Sequence, residues 1–269
     1  MTPIHVNDPE DPRIAAFRDV RERDLTGRQG LFIAEGEVVL RVLASEAARC
    51  TPASVLIAEK RLENLRELLE RLPDDVPVHV ASQAVLNAVA GFDLHRGILA
   101  LGRKPEPVEP GALLDSLPER AVAVVACGIG NHDNMGGLFR NAAAFGAGAV
   151  LLDQTCCDPF YRKAIRVSVG AVLRTPMATG LDAEAMIELL RGRGFEVLAL
   201  TPAAEQTLAE LKPGRRTALL LGSEGPGLPR EIIARCRPVG IRMAGGFDSL
   251  NVATTSAVAL HHLTTAGAG

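Results

Sequence analysis

The chain has 269 residues, 47% hydrophobic and 23% charged, a globular balance that excludes disorder, collagen and coiled coil as whole-chain readings. Aromatic residues make up 3%, with no Trp and one Tyr, which argues against a surface that stacks several bases on aromatic rings. The formal net charge of −3 disfavours a protein that grips polyanions through global positive charge.

In chain order, residues 11–29 are charged with Ile14, Phe17 and Val20 at helical spacing, and predict an amphipathic helix ending near Gly27. Residues 31–33 predict a strand, 37–48 a helix through Val38, Val39, Val42 and Leu43, and 54–58 a second strand. A helix over 60–72, a strand over 78–80, a short helix over 82–89 and a strand over 98–101 follow. This alternation predicts a self-contained α/β unit over residues 1–104. The Pro- and Gly-rich stretch from Lys104 to Gly111, with acids between, opens a linker expected over 105–119.

The second unit, expected over 120–269, opens with the apolar run Ala121–Ala126, suited to a strand buried on both faces. A glycine-marked loop over 128–137 leads to a helix near 138–145. Then come a strand at 149–152, helices at 162–169 and 183–192, strands at 196–200 and 217–221, a short helix at 229–234, a strand at 241–243 and a closing helix at 251–263. The alternation predicts an α/β domain with a mostly parallel sheet.

Residues 1–110 carry a net charge of −4 and residues 111–269 a net of +1. Of the 29 basic residues, 25 are Arg, a bias that codon usage or bidentate phosphate recognition would each produce. The five cysteines are odd in number and lack both CxxC and zinc-finger spacing to His, so they predict reduced thiols in a cytoplasmic protein and no metal. A polar, acidic start and the lack of a long apolar run predict neither a signal peptide nor a membrane span.

Three glycine-marked loops carry the chemistry: one from Gly130 to Asn141, one from Leu219 to Leu228, and one from Ile241 to Val252. Each is tied to a predicted strand and leads into a predicted helix. Any one alone reads as a turn, and Ser249 or Asn251 alone reads as a helix cap. Three at strand C-terminal ends in one α/β domain mark a ligand site. Cys127-Gly-Ile-Gly looks like the opening of a dinucleotide fingerprint, but the third glycine is misplaced and the acid on a second strand is missing.

Over their full length these loops resemble the three motifs of the SpoU (TrmH) family of S-adenosylmethionine-dependent RNA ribose 2′-O-methyltransferases, in the SPOUT superfamily. The first is Asn131-His-Asp-Asn134-Met-Gly-Gly-Leu-Phe-Arg140-Asn-Ala-Ala-Ala-Phe-Gly146. The second is Leu221-Gly-Ser-Glu-Gly-Pro-Gly-Leu228, and the third joins Ile241-Arg-Met243 to Asp248-Ser-Leu-Asn-Val-Ala253. Phe32-Ile-Ala-Glu-Gly36 resembles the family's N-terminal substrate-binding domain. Arg242 stands where the family often has Pro, and Thr254-Thr255 where it is usually small and apolar.

The resemblance implies a smaller ribosomal-protein-like α/β domain, then a parallel-sheet domain closed by a deep trefoil knot, and a homodimer with its active site near the subunit boundary. It implies catalytic roles for Arg140, Asn134, Glu224, Ser249 and Asn251, with Glu224 fixing Arg140 or the loop and Arg140 handling the ribose hydroxyl proton, while a guanidinium that stays charged equally fits a role in orienting the hydroxyl and stabilising its developing charge. It implies that Leu221, Gly222, Ser223, Gly227, Ile241, Met243 and Leu250 hold S-adenosyl-L-methionine. RNA contact is expected from Arg162, Lys163 and Arg166 on one helix. It is also expected from Arg28, in a cluster with Arg18, Arg21 and Arg23 that could equally be a solvated, salt-bridged helix. The expected substrate is rRNA. A tRNA 2′-O-methyltransferase and a non-catalytic RNA-binding or ribosome-assembly module of the same fold are the alternatives.

Overall fold

The computed structural model of the chain describes residues 2–18, 22–245 and 249–265; Arg21, Asp248 and the side chain of Arg23 fall outside them. Two units are traced: Met1–Pro105 with Asp158–Arg174, and Glu106–Cys157 with Thr175–Gly269.

The first unit runs through β1 (Ile4–Val6), α1 (Glu22–Arg28), β2 (Leu31–Glu35), α2 (Glu37–Leu43), β3 (Thr51–Ala58), α3 (Leu62–Leu69), β4 (Val78–Ala81), α4 (Gln83–Ala90) and β5 (Ile98–Arg103). The helix expected over 11–29 is not continuous. Pro12 starts a 3-10 helix that Asp11 caps by accepting from the Arg13 amide, and Arg18 turns extended at φ −84 and ψ 134. The sheet order is β1-β4-β3-β5-β2, with β1, β4 and β3 parallel and β5 antiparallel to both its neighbours. β1, unexpected from sequence, is a three-residue edge strand. Ile14, Phe17, Leu25, Leu56, Leu86 and Leu99 pack the unit's core.

The second unit begins inside the expected linker. α5 (Pro110–Asp115) has Pro at its first turn and Glu109 capping the Gly111 amide, and it buries Leu113 and Leu114 in the core beneath the second sheet. The Pro-Gly punctuation read as a linker thus includes a helix start. β6 (Ala121–Ala126), α6 (His132–Ala144) and β7 (Ala149–Asp153) follow.

The chain then contributes residues 158–174 to the first unit, contrary to the expected continuous domain over 120–269. This segment carries α7 (Arg162–Val167). Local contacts explain its allegiance: Phe160 lies against Phe32 at 5.4 Å between ring centroids, Lys104 bonds Asp158 at 2.6 Å, and Leu173 accepts from the Arg49 amide at 2.8 Å.

β8 (Met177–Leu181), α8 (Ala183–Arg191), β9 (Glu196–Leu200), β10 (Arg216–Leu221), α9 (Arg230–Ala234), β11 (Arg237–Val239) and α10 (Val252–Thr265) complete the second unit. Its six strands, in the order β11-β9-β10-β6-β7-β8, are all parallel. The central pair β6 and β10 is buried on both faces, which their unbroken apolar sequences require. The strand expected at 241–243 lies instead at Arg237–Val239, with Pro238 tolerated on the sheet edge. Residues 241–243 leave the sheet and are free to face a ligand. Among the described residues, no helix is long and apolar enough to cross a membrane.

Candidate active site

Strand order reverses around β6: the chain moves outward to β7 and β8, then returns on the other side through β9 and β10. The crevice beyond the C-terminal ends of β6 and β10 is thus the switch point where open α/β sheets bind ligands. Two of the three glycine-marked loops leave the sheet here.

The loop after β6 is pinned from β7. Both Asp153 carboxylate oxygens accept from the Gly128 amide at 3.1 Å, and Oδ1 also accepts from the Thr155 amide and hydroxyl at 3.0 and 2.8 Å. Cys156 Sγ donates to the Ala126 carbonyl and accepts from the Ile129 amide, both at 3.3 Å. Burial pushes the Cys156 thiol up to about 12 and also raises Cys127, so both are neutral packing groups. Asn131 caps α6 by accepting from the Asp133 amide at 2.8 Å.

The loop after β10 folds back on itself. A Cβ on Gly222 would lie 2.5 Å from both Gly227 C and Leu228 N, so only glycine fits there. Gly225 and Gly227 have φ of +84 and +68. This turn carries Glu224 to the N-terminal end of α6.

The three loops meet in one polar cluster. Asn134, buried on α6, donates from Nδ2 to Glu224 Oε1. Asn251 Nδ2 donates to Asn134 Oδ1 at 2.8 Å and to Glu224 Oε1 at 3.4 Å. Asn251 Oδ1 meanwhile accepts from the Ala253 and Thr254 amides and opens α10. One carboxylate thereby orients two amides, and the cluster fixes the three loops relative to one another.

Two cavities adjoin along the 222–228 turn, since Ser223 and Glu224 line both. The larger, about 510 Å³, gathers all seven residues expected to hold a cofactor: Leu221, Gly222, Ser223, Gly227, Ile241, Met243 and Leu250, with Ser249 beside them. Its lining mixes apolar side chains with loop backbone, the character of a pocket for a flat organic ligand. The smaller, about 250 Å³, lies between Gly128, Gly130, Asn131, Asn134 and Glu224.

Arg140 stands apart. It is exposed on α6, about 9 Å along the axis from Asn134. It lines neither cavity and forms no ion pair among the described residues. Glu224, expected to fix Arg140 or the loop, bonds Asn134 and Asn251 instead of Arg140.

The basic residues of α7 sit in the first unit. Arg162 and Arg166 both reach the buried Glu35 carboxylate, at 3.4 and 3.7 Å, and the Arg162 guanidinium lies 4.5 Å over the Phe92 ring. Lys163 between them is exposed, as is Arg28 at the end of α1.

Sequence reasoning missed three contributions. Leu200, the last residue of β9, and Thr201 and Pro202 after it line the larger cavity; a strand end before Thr-Pro was the available signal. Asp153 ends β7 in the same way. Asn141 Nδ2 ties α6 to α10 through the Ala253 carbonyl at 2.6 Å and Ser256 Oγ at 2.9 Å, a contact without sequence signature.

A family model described as the SpoU rRNA methylase family matches residues 121–261. An uncharacterised tRNA/rRNA methyltransferase of Mycobacterium tuberculosis is 40% identical, covering 97% of this chain and 92% of that protein. The 23S rRNA (guanosine-2′-O-)-methyltransferase of Coxiella burnetii is 29% identical over 76% of this chain and 82% of its own. Among solved structures, an RNA 2′-O ribose methyltransferase shares 26% identity with a TM-score of 0.79, over 97% and 98% of the two chains. A SpoU methyltransferase of Streptomyces viridochromogenes, solved in complex with the cofactor AdoMet, has the same fold, with a TM-score of 0.80 at 20% identity over 95% of this chain and 97% of that one. The chain belongs to the SpoU rRNA methylase family of RNA methyltransferases.

Proposed function

We propose that this protein transfers a methyl group from S-adenosyl-L-methionine to a ribose 2′-hydroxyl of RNA, with ribosomal RNA as substrate. The observation that carries this reading is the Asn134–Glu224–Asn251 cluster, which joins all three family motifs at the sheet's switch point and borders both cavities.

The larger cavity fits the cofactor. Gly222 leaves no room for a side chain where the backbone doubles back, and Leu221, Ile241, Met243 and Leu250 offer apolar walls to an adenine ring. Ser223, Gly227 and the off-sheet backbone of 241–243 supply polar atoms beside them. When bound, the cofactor supplies an electrophilic methyl on a sulfonium, and no metal is needed. The smaller cavity, walled by glycine backbone and the Asn131 and Asn134 amides, receives the ribose, with Asn251 bonded to Asn134 and Ser249 lining the adjoining larger cavity. Glu224 holds the Asn134 and Asn251 amides in one orientation, so the ribose meets preorganised donors and acceptors. A guanidinium stays charged in proteins, so Arg140 orients the hydroxyl and stabilises charge developing on its oxygen, while the O–H proton passes to solvent water as the O–CH3 bond forms and the S–CH3 bond breaks.

Arg140 lines neither cavity of its own chain, which favours a homodimer whose second subunit supplies it. Exposed Leu250 and Val258, 46% and 44% accessible, are apolar surface suited to that contact. The proposed topology of residues 120–269 includes a deep trefoil knot, an exception to the rule against threaded chains. It is supported by the return of the chain from edge strand β11 to pack α10 against α6 and β10. Residues 1–104 form the proposed RNA-recognition domain, ribosomal-protein-like, with Arg28, Arg162, Lys163 and Arg166 as contacts. Neutral thiols, Cys127 buried and Cys156 half-buried, suit the cytoplasm.

The deciding experiment incubates unmodified total RNA with the protein and methyl-labelled cofactor, separates rRNA from tRNA, and maps the label. Label on a ribose 2′-oxygen of rRNA is expected. Label on tRNA moves the substrate to the alternative class, label on a base refutes the ribose reading, and no label refutes the enzyme.

A further inference from the structure

The first unit holds a cavity of its own, about 530 Å³, lined by Glu37, Val38, Lys60, Arg61, His95 and Arg96. These residues come from the start of α2, the turn after β3 and the segment before β5. Residues 1–110 are net −4, so a gathering of cations here runs against the local background.

The charges are arranged, not merely near. Glu37 Oε1 accepts from Arg41 Nη2 at 2.8 Å and Nε at 3.2 Å, while Oε2 accepts from Arg61 Nη2 at 2.7 Å. The bond to Arg41, with help from Arg61, holds the Glu37 carboxyl below its usual range, so it stays ionised. That single negative charge is thus committed to two arginines. Lys60 and Arg96 are left over: both are exposed at the cavity, and neither forms an ion pair among the described residues.

The backbone makes room for this arrangement. Gly36 has φ +91, and a Cβ there would lie 3.0 Å from both Cδ and Nη1 of Arg96, so the arginine lies across bare glycine. Gly97, next to Arg96, has φ +60, a conformation that favours glycine, and a Cβ there would lie 3.0 Å from the Ala58 Cβ. Arg61 Nε is buried without an acceptor among the described residues. Val38, 53% accessible, adds an apolar rim.

An open, cationic notch with an apolar lip fits a phosphodiester flanked by ribose, not an enclosed small anion. We propose that this cavity seats a backbone phosphate of the RNA substrate, with Lys60 and Arg96 as its direct contacts and Arg61 held behind them by Glu37. The proposal rests on the reading of the protein as an RNA methyltransferase. A guanidinium presents a planar fork to phosphate and an ammonium a point charge, so the pair fixes register as well as adding affinity.

The test is the double variant Lys60→Gln/Arg96→Gln, both exposed positions, with thermal melting to verify the fold. Filter binding to deproteinised total ribosomal RNA between 50 and 200 mM salt should show affinity falling about tenfold, and the slope of log K against log salt flattening by about 1–2. Methyl transfer should show a raised KM for RNA with kcat retained, and titration with S-adenosylmethionine should be unchanged. Arg66→Gln, an exposed pair with Glu63 outside the cavity, should leave RNA affinity and salt slope as in the unmodified protein. An unaltered RNA affinity and salt slope in the double variant overturns the proposal, as does an equal loss in Arg66→Gln. Retained RNA affinity with lost affinity for polyglutamate or phosphatidylserine vesicles assigns the cavity to another partner and also overturns it. RNA binding that depends on Lys60 and Arg96, in a protein that transfers no methyl group, leaves the cavity standing and refutes the enzymatic reading alone.

Discussion

Asn134, Glu224 and Asn251 are the point at which side-chain chemistry and loop geometry become one problem. Asn134 is 4% accessible, so its amide must be satisfied inside the protein; an orphaned buried polar group costs about 1–3 kcal/mol. Glu224 and Asn251 satisfy both ends of it, and the direction of each bond fixes which way the amide faces. Arg140 belongs to none of this. Its separation from the cluster predicts a split in function: Arg140→Ala should lower methyl transfer about a hundredfold or more while the cofactor Kd stays the same. Isothermal titration alongside single-turnover transfer measures both, and near-normal turnover in the variant removes Arg140 from the mechanism. The residue types were legible in the sequence at all three motifs. Their mutual bonding was not, because partners 90 and 117 positions apart meet only through the tertiary fold.

At the scale of elements, α6 and α10 carry the cluster between them, and their spacing is set by Gly137. A Cβ there would lie 2.6 Å from the Ala253 Cβ, while Asn141 bonds across to Ala253 and Ser256. Helix propensity predicts that Gly137→Ala in mid-helix stabilises by about 0.5–1 kcal/mol. The close approach predicts the opposite, a loss of about 1–3 kcal/mol as the helices are forced apart. Urea denaturation decides between them, and a stabilised variant would mean the helices are not so closely packed. Long periodic elements such as β6, α8 and β10 were readable from sequence because both their faces or their apolar stripe are written in the pattern. The failures lie where short-range signals compete. Pro110 reads as a breaker but starts a helix, and 241–243 looks like a strand although β11 precedes it. Met177–Leu181, with Gly180 in a strand only partly buried, carries no apolar run to betray it.

At the scale of the whole molecule, the proposed dimer makes a prediction that no single-chain mechanism shares. Arg140→Ala keeps an intact cofactor cavity, and Gly222→Val keeps Arg140 but fills the turn where a Cβ would lie 2.5 Å from backbone. Each alone should be inactive. If one subunit supplies Arg140 to the other's cavity, denaturing and refolding the two together should restore about a quarter of normal activity, since half the dimers are mixed and each carries one complete site. A mixture that stays inactive, with dimers verified by sedimentation, places the whole site within one chain.

Composition and the three motifs were enough to predict an α/β chain with a ligand pocket at strand ends and seven of the residues that line its larger cavity, because apolar periodicity and glycine at crowded turns are local requirements. The tertiary structure alone decided which residues touch. It moved residues 158–174 into the first unit, committed Arg162 and Arg166 to Glu35, and gathered Lys60, Arg61 and Arg96 around Glu37. Each of these depends on groups far apart in the chain coming within a few ångströms, and charge pairing over such separations leaves no period in the sequence to read.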